Sequence, residues 1–230
     1  MVAHIVTVAF TAFMVYTAWP GSSLFSWHPT LMVFAFVACM WEGLLVFNRE
    51  SSIFVNVTRP TKVLIHQVLN IVAVTCAILG FIVIYYNKSL NDKPHFTSWH
   101  GLLGLITVIC VTVQSFGGDV VKYEWLRKIL GVKLSLGTLK IYHATSGLVV
   151  FTLVVTTMML ALYSTWFTSQ VGWLLWLLCN GCVSFMAVII MNQVVSEYLP
   201  KTQRRGVPAP VPAKKTSQKS ANSKRNKKLN

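Results

Sequence analysis

His28, His66, His100 and His143 each stand at the entrance of a long apolar run, with hardly a charged residue around them. An imidazole can bind a metal ion, relay a proton or act as a base. In apolar surroundings it must do one of these or find a hydrogen-bond partner, because an unpaired polar ring is costly to bury. Two further histidines, His4 and His95, flank the first and fourth runs.

The runs are the elements that must position these rings. Of the 230 residues, 54% are hydrophobic and 11% charged, with a mean hydropathy of +0.60. Soluble domains carry about a quarter charged residues, and a bilayer core asks for about 20 apolar residues per helix. Six runs meet or approach that length: 2–19, 31–47, 63–86, 101–116, 141–163 and 171–191. The first lacks the basic flank and small-residue cleavage site of a secretory signal, so it is expected to remain as a helix. The expected fold is an all-α integral membrane protein of six transmembrane helices. It forms one domain, 1–197, followed by a basic tail, 198–230, whose Lys, Pro, Ser and Asn cannot bury a core and are expected to be disordered.

The formal net charge is +14, which in a soluble protein would suggest nucleic acid. Its distribution points to lipid instead. Every Lys and Arg except Lys88 and Lys93 falls in the 2–3 loop, the 4–5 loop or the tail. The positive-inside rule then puts both termini and those two loops in the cytosol. Trp19, Trp27, Trp99, Trp166 and Trp173 gather at the opposite boundary, as an interfacial aromatic belt does. The chain ends "KRNKKLN", similar to a dilysine signal, which suggests the endoplasmic reticulum or a cytoplasmic vesicle membrane. Asn87 lies in a lumenal-side glycosylation sequon; the sequon at Asn56 falls on the cytosolic side. All five cysteines lie inside the runs, and Cys179 and Cys182 are read as packing residues. No C-x-x-C-H motif is present for covalent haem attachment.

Successive helices alternate in direction, so their entrances alternate between faces. His28 and His100 then share the lumenal depth, His66 and His143 the cytosolic depth. Zinc takes three or four protein ligands, and neither layer offers a third at matching depth. Haem b takes two axial imidazoles on opposite ring faces. Two haem b groups per chain therefore account for four histidines in two layers, at a spacing on the order of 20 Å. Gly104 and Gly147, each four residues after a histidine and on its face, would admit a porphyrin to the backbone. Gln67 and Asn70 would supply polar partners beside His66.

The segments "FSWHPTLM" (25–32), "GLLVF" (43–47), "SWHGLLG" (98–104) and "YHATSGL" (142–148) resemble the ligand-bearing segments of the cytochrome b561 family. The likeness spans about 22–193 and is greatest to its short "domain-containing" branch of transmembrane ferric or monodehydroascorbate reductases. It implies that helices 2–5 form a four-helix bundle around the two haems, His28 and His100 holding the iron of the non-cytosolic one and His66 and His143 that of the cytosolic one. It further implies ascorbate as cytosolic donor and a homodimer.

Ascorbate is an anion at neutral pH, so cationic donors are expected near the cytosolic haem. Arg49, Arg59, Lys62 and Lys140 are the candidates, Lys62 four residues before His66 and Lys140 three before His143. On the other face, His95 and Lys93 are candidates for an acceptor, a ferric complex or monodehydroascorbate. Glu42, inside the second run, is expected to relay protons or to pair with a cytosolic-side Lys or Arg. The expected function is electron transfer across the bilayer, an oxidoreductase activity with the histidines as ligands. The alternative is a transporter whose histidines bind metal ions or relay protons, and it requires a polar pathway through the middle.

Overall fold

Eight helices follow one another along residues 1–198, the part of the chain that the computed structural model describes; 199–230, with the basic tail and its dilysine end, lie outside it. They are α1 (Val2–Ala18), α2 (Trp27–Leu45), α3 (Arg59–Leu90), α4 (Trp99–Lys122), α5 (Glu124–Ile129), α6 (Leu136–Leu162), α7 (Thr165–Gln170) and α8 (Trp173–Tyr198). No strand occurs among the described residues. Helices α2, α3, α4, α6 and α8 are long and apolar enough to cross a membrane. The chain is thus a multi-pass membrane protein. The first apolar helix, α1, has 17 residues, about 25 Å of rise and at the lower limit for a span.

The helices overrun the apolar runs. Helix α3 adds a polar turn at each end, entered through Thr58 and Pro60 and closed after Lys88. A proline costs nothing in a first turn, where its missing N–H has no helical partner. Serine side chains cap three of the starts: Ser98 accepts from the Gly101 amide, Ser135 from Thr138 and Ser164 from Phe167. Helices α5 and α7 are short segments inside loops.

Helix α2 departs from regular winding. Residues Phe34–Trp41 are π-helical, between α-helical Trp27–Val33 and Glu42–Leu45. It is also the most enclosed of the spans, with Ala35, Val37, Trp41 and Leu45 fully buried. Helices α1, α3, α4, α6 and α8 pack around it and around one another through Phe10, Ala73, Val111, Phe151 and Val183. Their outward faces carry exposed Ile, Leu and Val, such as Ile82, Ile109 and Val149, the surface a lipid environment takes. Trp19, Trp27, Trp99 and Trp173 stand exposed at helix ends.

Candidate functional site

The four histidines meet two by two. His28 of α2 faces His100 of α4 with ring centroids 6.2 Å apart and planes at 72°. His66 of α3 faces His143 of α6 at 6.5 Å and 90°. Along α3, Gly80, which contacts His28, comes 14 residues after His66, so the two pairs stand about 21 Å apart along the helix axis.

What holds each ring is mostly backbone. His28 donates from Nδ1 to the Gly80 carbonyl (2.9 Å), His66 to that of Gly43 (2.8 Å) and His100 to that of Thr157 (3.1 Å). A carbonyl only accepts, so each of these Nδ1 atoms carries the proton, and in the neutral ring the Nε2 lone pair is left to bind a metal. His143 departs from this pattern; its Nδ1 meets the side-chain amide nitrogen of Gln114 at 3.1 Å.

Two glycines make the α2–α3 bonds possible. A Cβ on Gly80 would lie 3.1 Å from Leu31 Cβ, and one on Gly43 would lie 2.9 Å from Asn70 Nδ2 and 3.3 Å from Leu69 Cβ. Any side chain there would push the helices apart and lift the carbonyls from His28 and His66. The sequence pattern does not reveal these acceptors, nor Thr157, because every residue has a carbonyl.

A cavity of about 290 Å³ opens at the His28/His100 end, walled mainly by apolar side chains and by Gly104. Beneath His100, the Thr107 hydroxyl bonds that of Thr157 (2.8 Å), both buried. Lys88, Tyr85 and His95 stand among its lining residues. His95 stacks on Tyr85 with centroids 4.1 Å apart and lies 3.2 Å from the Ser89 hydroxyl. Lys93 is not in this cavity but in an adjoining shallow dent with Asn87 and Asn91; the two hollows share Phe25 and Trp166. Asn87 itself belongs to α3, and its carbonyl accepts from Asn91.

At the His66/His143 end the candidate cations differ in surroundings. Arg49 is exposed and bonds Glu197 of α8 at 2.8 Å. Arg59 and Lys140 are exposed, and Lys62 is half-buried. Gln67 does not serve His66: its amide donates to Asp119 (2.7 Å) and its oxygen accepts from Lys122, beside Tyr123. Asn70 does lie at the ring, 3.3 Å from His66 Nδ1, while donating to the His66 carbonyl. Two further expectations need correcting. The space beside Gly147 is taken by Gln114, whose Nε2 would be 2.9 Å from an added Cβ, so this glycine makes room for a side chain. Glu42 pairs with neither Lys nor Arg but with His4 of α1 (2.7 Å), whose other nitrogen bonds the Ser51 carbonyl (2.6 Å).

The spacing of both pairs fits the cofactor that two opposed imidazoles imply. Nitrogens about 2.0 Å from one metal on opposite sides put ring centroids about 6 Å apart, close to the spacing of both pairs. No cluster of three or more His, Cys, Asp or Glu among the described residues could hold a metal ion by itself.

The sequence pattern of eukaryotic cytochrome b561 matches residues 27–168, the stretch carrying all four histidines. The chain belongs to the eukaryotic cytochrome b561 family. Membership brings haem b binding and electron transfer across a membrane with it. Transmembrane reductase CYB561D2 of Bos taurus is 42% identical over 197 residues, 86% of this chain and 87% of that one. Probable transmembrane reductase CYB561D1 of Mus musculus is 36% identical over 201 residues, 87% of this chain and 86% of that one. Lysosomal membrane ascorbate-dependent ferrireductase CYB561A3 of Mus musculus is 36% identical over 119 residues, 49% of this chain and 48% of its own length.

Proposed function

We propose that this chain is a transmembrane ascorbate-dependent oxidoreductase. It takes electrons one at a time from cytosolic ascorbate and delivers them across the bilayer to a ferric complex or monodehydroascorbate. The observation carrying this reading is the pair of histidine pairs, their ring centroids 6.2 and 6.5 Å apart and the pairs about 21 Å apart along the bundle. His28 and His100 would hold one haem b, His66 and His143 a second; when bound, these supply the one-electron carriers. The relatives' names support the class: a transmembrane reductase over most of the chain, and an ascorbate-dependent ferrireductase over about half of it.

The chain's own part is to hold and to admit. Gly80, Gly43 and Thr157 carbonyls orient three of the rings. At the cytosolic end, half-buried Lys62 and exposed Lys140 and Arg59 attract the ascorbate anion; Arg49, already paired with Glu197, contributes least. Each ascorbate anion that gives up one electron also gives up one proton, which leaves to cytosolic water. At the opposite end His95, fixed against Tyr85, with Lys88 and Lys93 nearby, receives an acceptor bearing anionic groups. The net reaction there is reduction of ferric to ferrous ion, or of monodehydroascorbate to ascorbate by one electron and one proton. Six spans with both termini in the cytosol, in the endoplasmic reticulum or a cytoplasmic vesicle membrane, complete the reading, with a homodimer as the assembly.

Liposomes loaded with ascorbate and bearing the purified chain test it. Ferric citrate outside should be reduced at a rate that falls to the protein-free level in His66→Leu and His100→Leu, each of which should retain one haem. A haem-replete chain that passes no electrons from trapped ascorbate would overturn the reading, as would variants that keep both haems.

A further inference from the structure

The cavity at the His28/His100 end is apolar in its depth and polar at its mouth. Phe36 follows His28 by eight residues, and Leu105 and Val108 follow His100 by five and eight, so these walls lie inward of the rings. Lys88 follows Gly80, the partner of His28, by eight residues toward the end of α3, and Ser98 precedes His100. Both therefore lie outward of the rings. Lys88 is the one Lys, Arg, Asp or Glu among the described residues that line this cavity; Lys93 lines the adjoining dent instead.

The Lys88 ammonium is tethered there. The side chain is half-buried, and its Nζ donates to the Pro94 carbonyl at 3.0 Å. The chain folds back to supply that carbonyl: the Lys93 amide donates to the Lys88 carbonyl at 2.9 Å, and Phe96 stacks on Phe81 with centroids 6.3 Å apart. An ammonium has three N–H bonds, of which the Pro94 carbonyl takes one.

Haem b has the same polarity as this cavity. One edge is hydrocarbon and the other bears two propionate carboxylates. A carboxylate is costly to leave unpaired against apolar walls, so the acidic edge belongs at the mouth, beside the cation. We propose that Lys88 is the counter-ion of a propionate on the haem held by His28 and His100, fixing that group with its carboxylate edge outward. This rests on the ligand assignment proposed above. It leaves His95 and Lys93 to meet the acceptor. Reduction adds a negative charge to the haem, and a cation beside it lowers the cost, so Lys88 also raises the midpoint of this haem.

The test is a redox titration of the full-length holoprotein in lipid nanodiscs, followed in the haem α-band, with haem per chain measured separately. Lys88→Gln removes the charge and keeps an N–H for the Pro94 carbonyl. It should lower the midpoint of the haem that His100→Leu removes by about tenfold in its ferric-to-ferrous ratio, about 59 mV for one electron. Lys88→Arg should restore most of the shift, Lys93→Gln should cause little, and the second haem should not move. Infrared difference spectra with haem labelled at its propionate carboxylates keep the test open should Lys88→Gln fail to fold. The carboxylate stretch should move in Lys88→Arg, where guanidinium replaces ammonium, and stay in Lys93→Arg. No shift, an upward shift, an equal shift of both haems, or a Lys93 variant that matches its Lys88 counterpart would overturn the role of Lys88. Failure of the ligand assignment itself would be seen differently, as a wild-type chain without two haems.

Discussion

Gly80→Ala adds one methyl group where α2 and α3 approach closely. The new Cβ would lie 3.1 Å from Leu31 Cβ, 3.3 Å from Met32 Cε and 3.6 Å from the His28 carbonyl. Met32 can swing its terminal methyl aside, but a Cβ is fixed to the backbone, so the two helices must separate by about 0.5 Å to restore ordinary contact. The His28 Nδ1 bond to the Gly80 carbonyl, now 2.9 Å, then stretches past the usual limit of about 3.2 Å. Overpacking of this kind costs about 1–3 kcal/mol, and losing the partner that orients a metal-binding histidine costs about 10–100-fold in affinity. Haem quantified per purified chain should therefore fall from about two toward one, with the loss confined to the His28/His100 end. Gly117→Ala, where a Cβ meets nothing within 4 Å, is the matched control on α4. If Gly80→Ala kept full haem with both midpoints unchanged, or if the control lost as much, the reasoning from helix separation to ring orientation would be wrong.

The same logic applied at the other end makes Gly43→Ala lower haem retention at His66/His143, because Asn70 Nδ2 is held by the His66 carbonyl and cannot yield freely; redox titration identifies which haem is lost. Thr107→Val should lower stability in a detergent thermal melt by about 1–3 kcal/mol, since it strands the buried Thr157 hydroxyl. It should also shift the midpoint of the His28/His100 haem alone, because the Thr157 carbonyl holds His100. His4→Ala should destabilise the chain by a similar amount, about 1–3 kcal/mol, by leaving Glu42 and the Ser51 carbonyl without their donor; adding Glu42→Gln should recover part of the loss. Arg49→Ala should change stability by less than about 1 kcal/mol, since its bond to Glu197 is solvent-exposed.

Much of this arrangement is legible in the sequence because direction alternates between successive membrane helices. A histidine at the entrance of each of four runs can only pair first with third and second with fourth, and the rings do meet in that way. The π-helical stretch Phe34–Trp41 is not legible, because a segment apolar on all sides carries no periodic signal to phase. Nor are the limits of α3, whose polar end turns fall outside an apolar run but are stable in contact with water. The backbone acceptors at Gly43, Gly80 and Thr157 depend on helix separation, which no residue type announces. Gln114 had a signal: it is the lone amide in "ICVTVQSF", 14 residues beyond His100 and hence one layer away. His4 had none, since its pairing with Glu42 requires knowing which side of α2 receives α1.

The central claim is that four histidines hold two b-type haems which ascorbate can reduce. A reduced-minus-oxidised absorbance spectrum of the purified chain, with ascorbate as reductant and haem counted per chain, tests it most directly. The account predicts two haems per chain and a sharp b-type α-band that appears on adding ascorbate. A chain purified from haem-replete cells that is colourless, or whose haem ascorbate leaves oxidised, would contradict it.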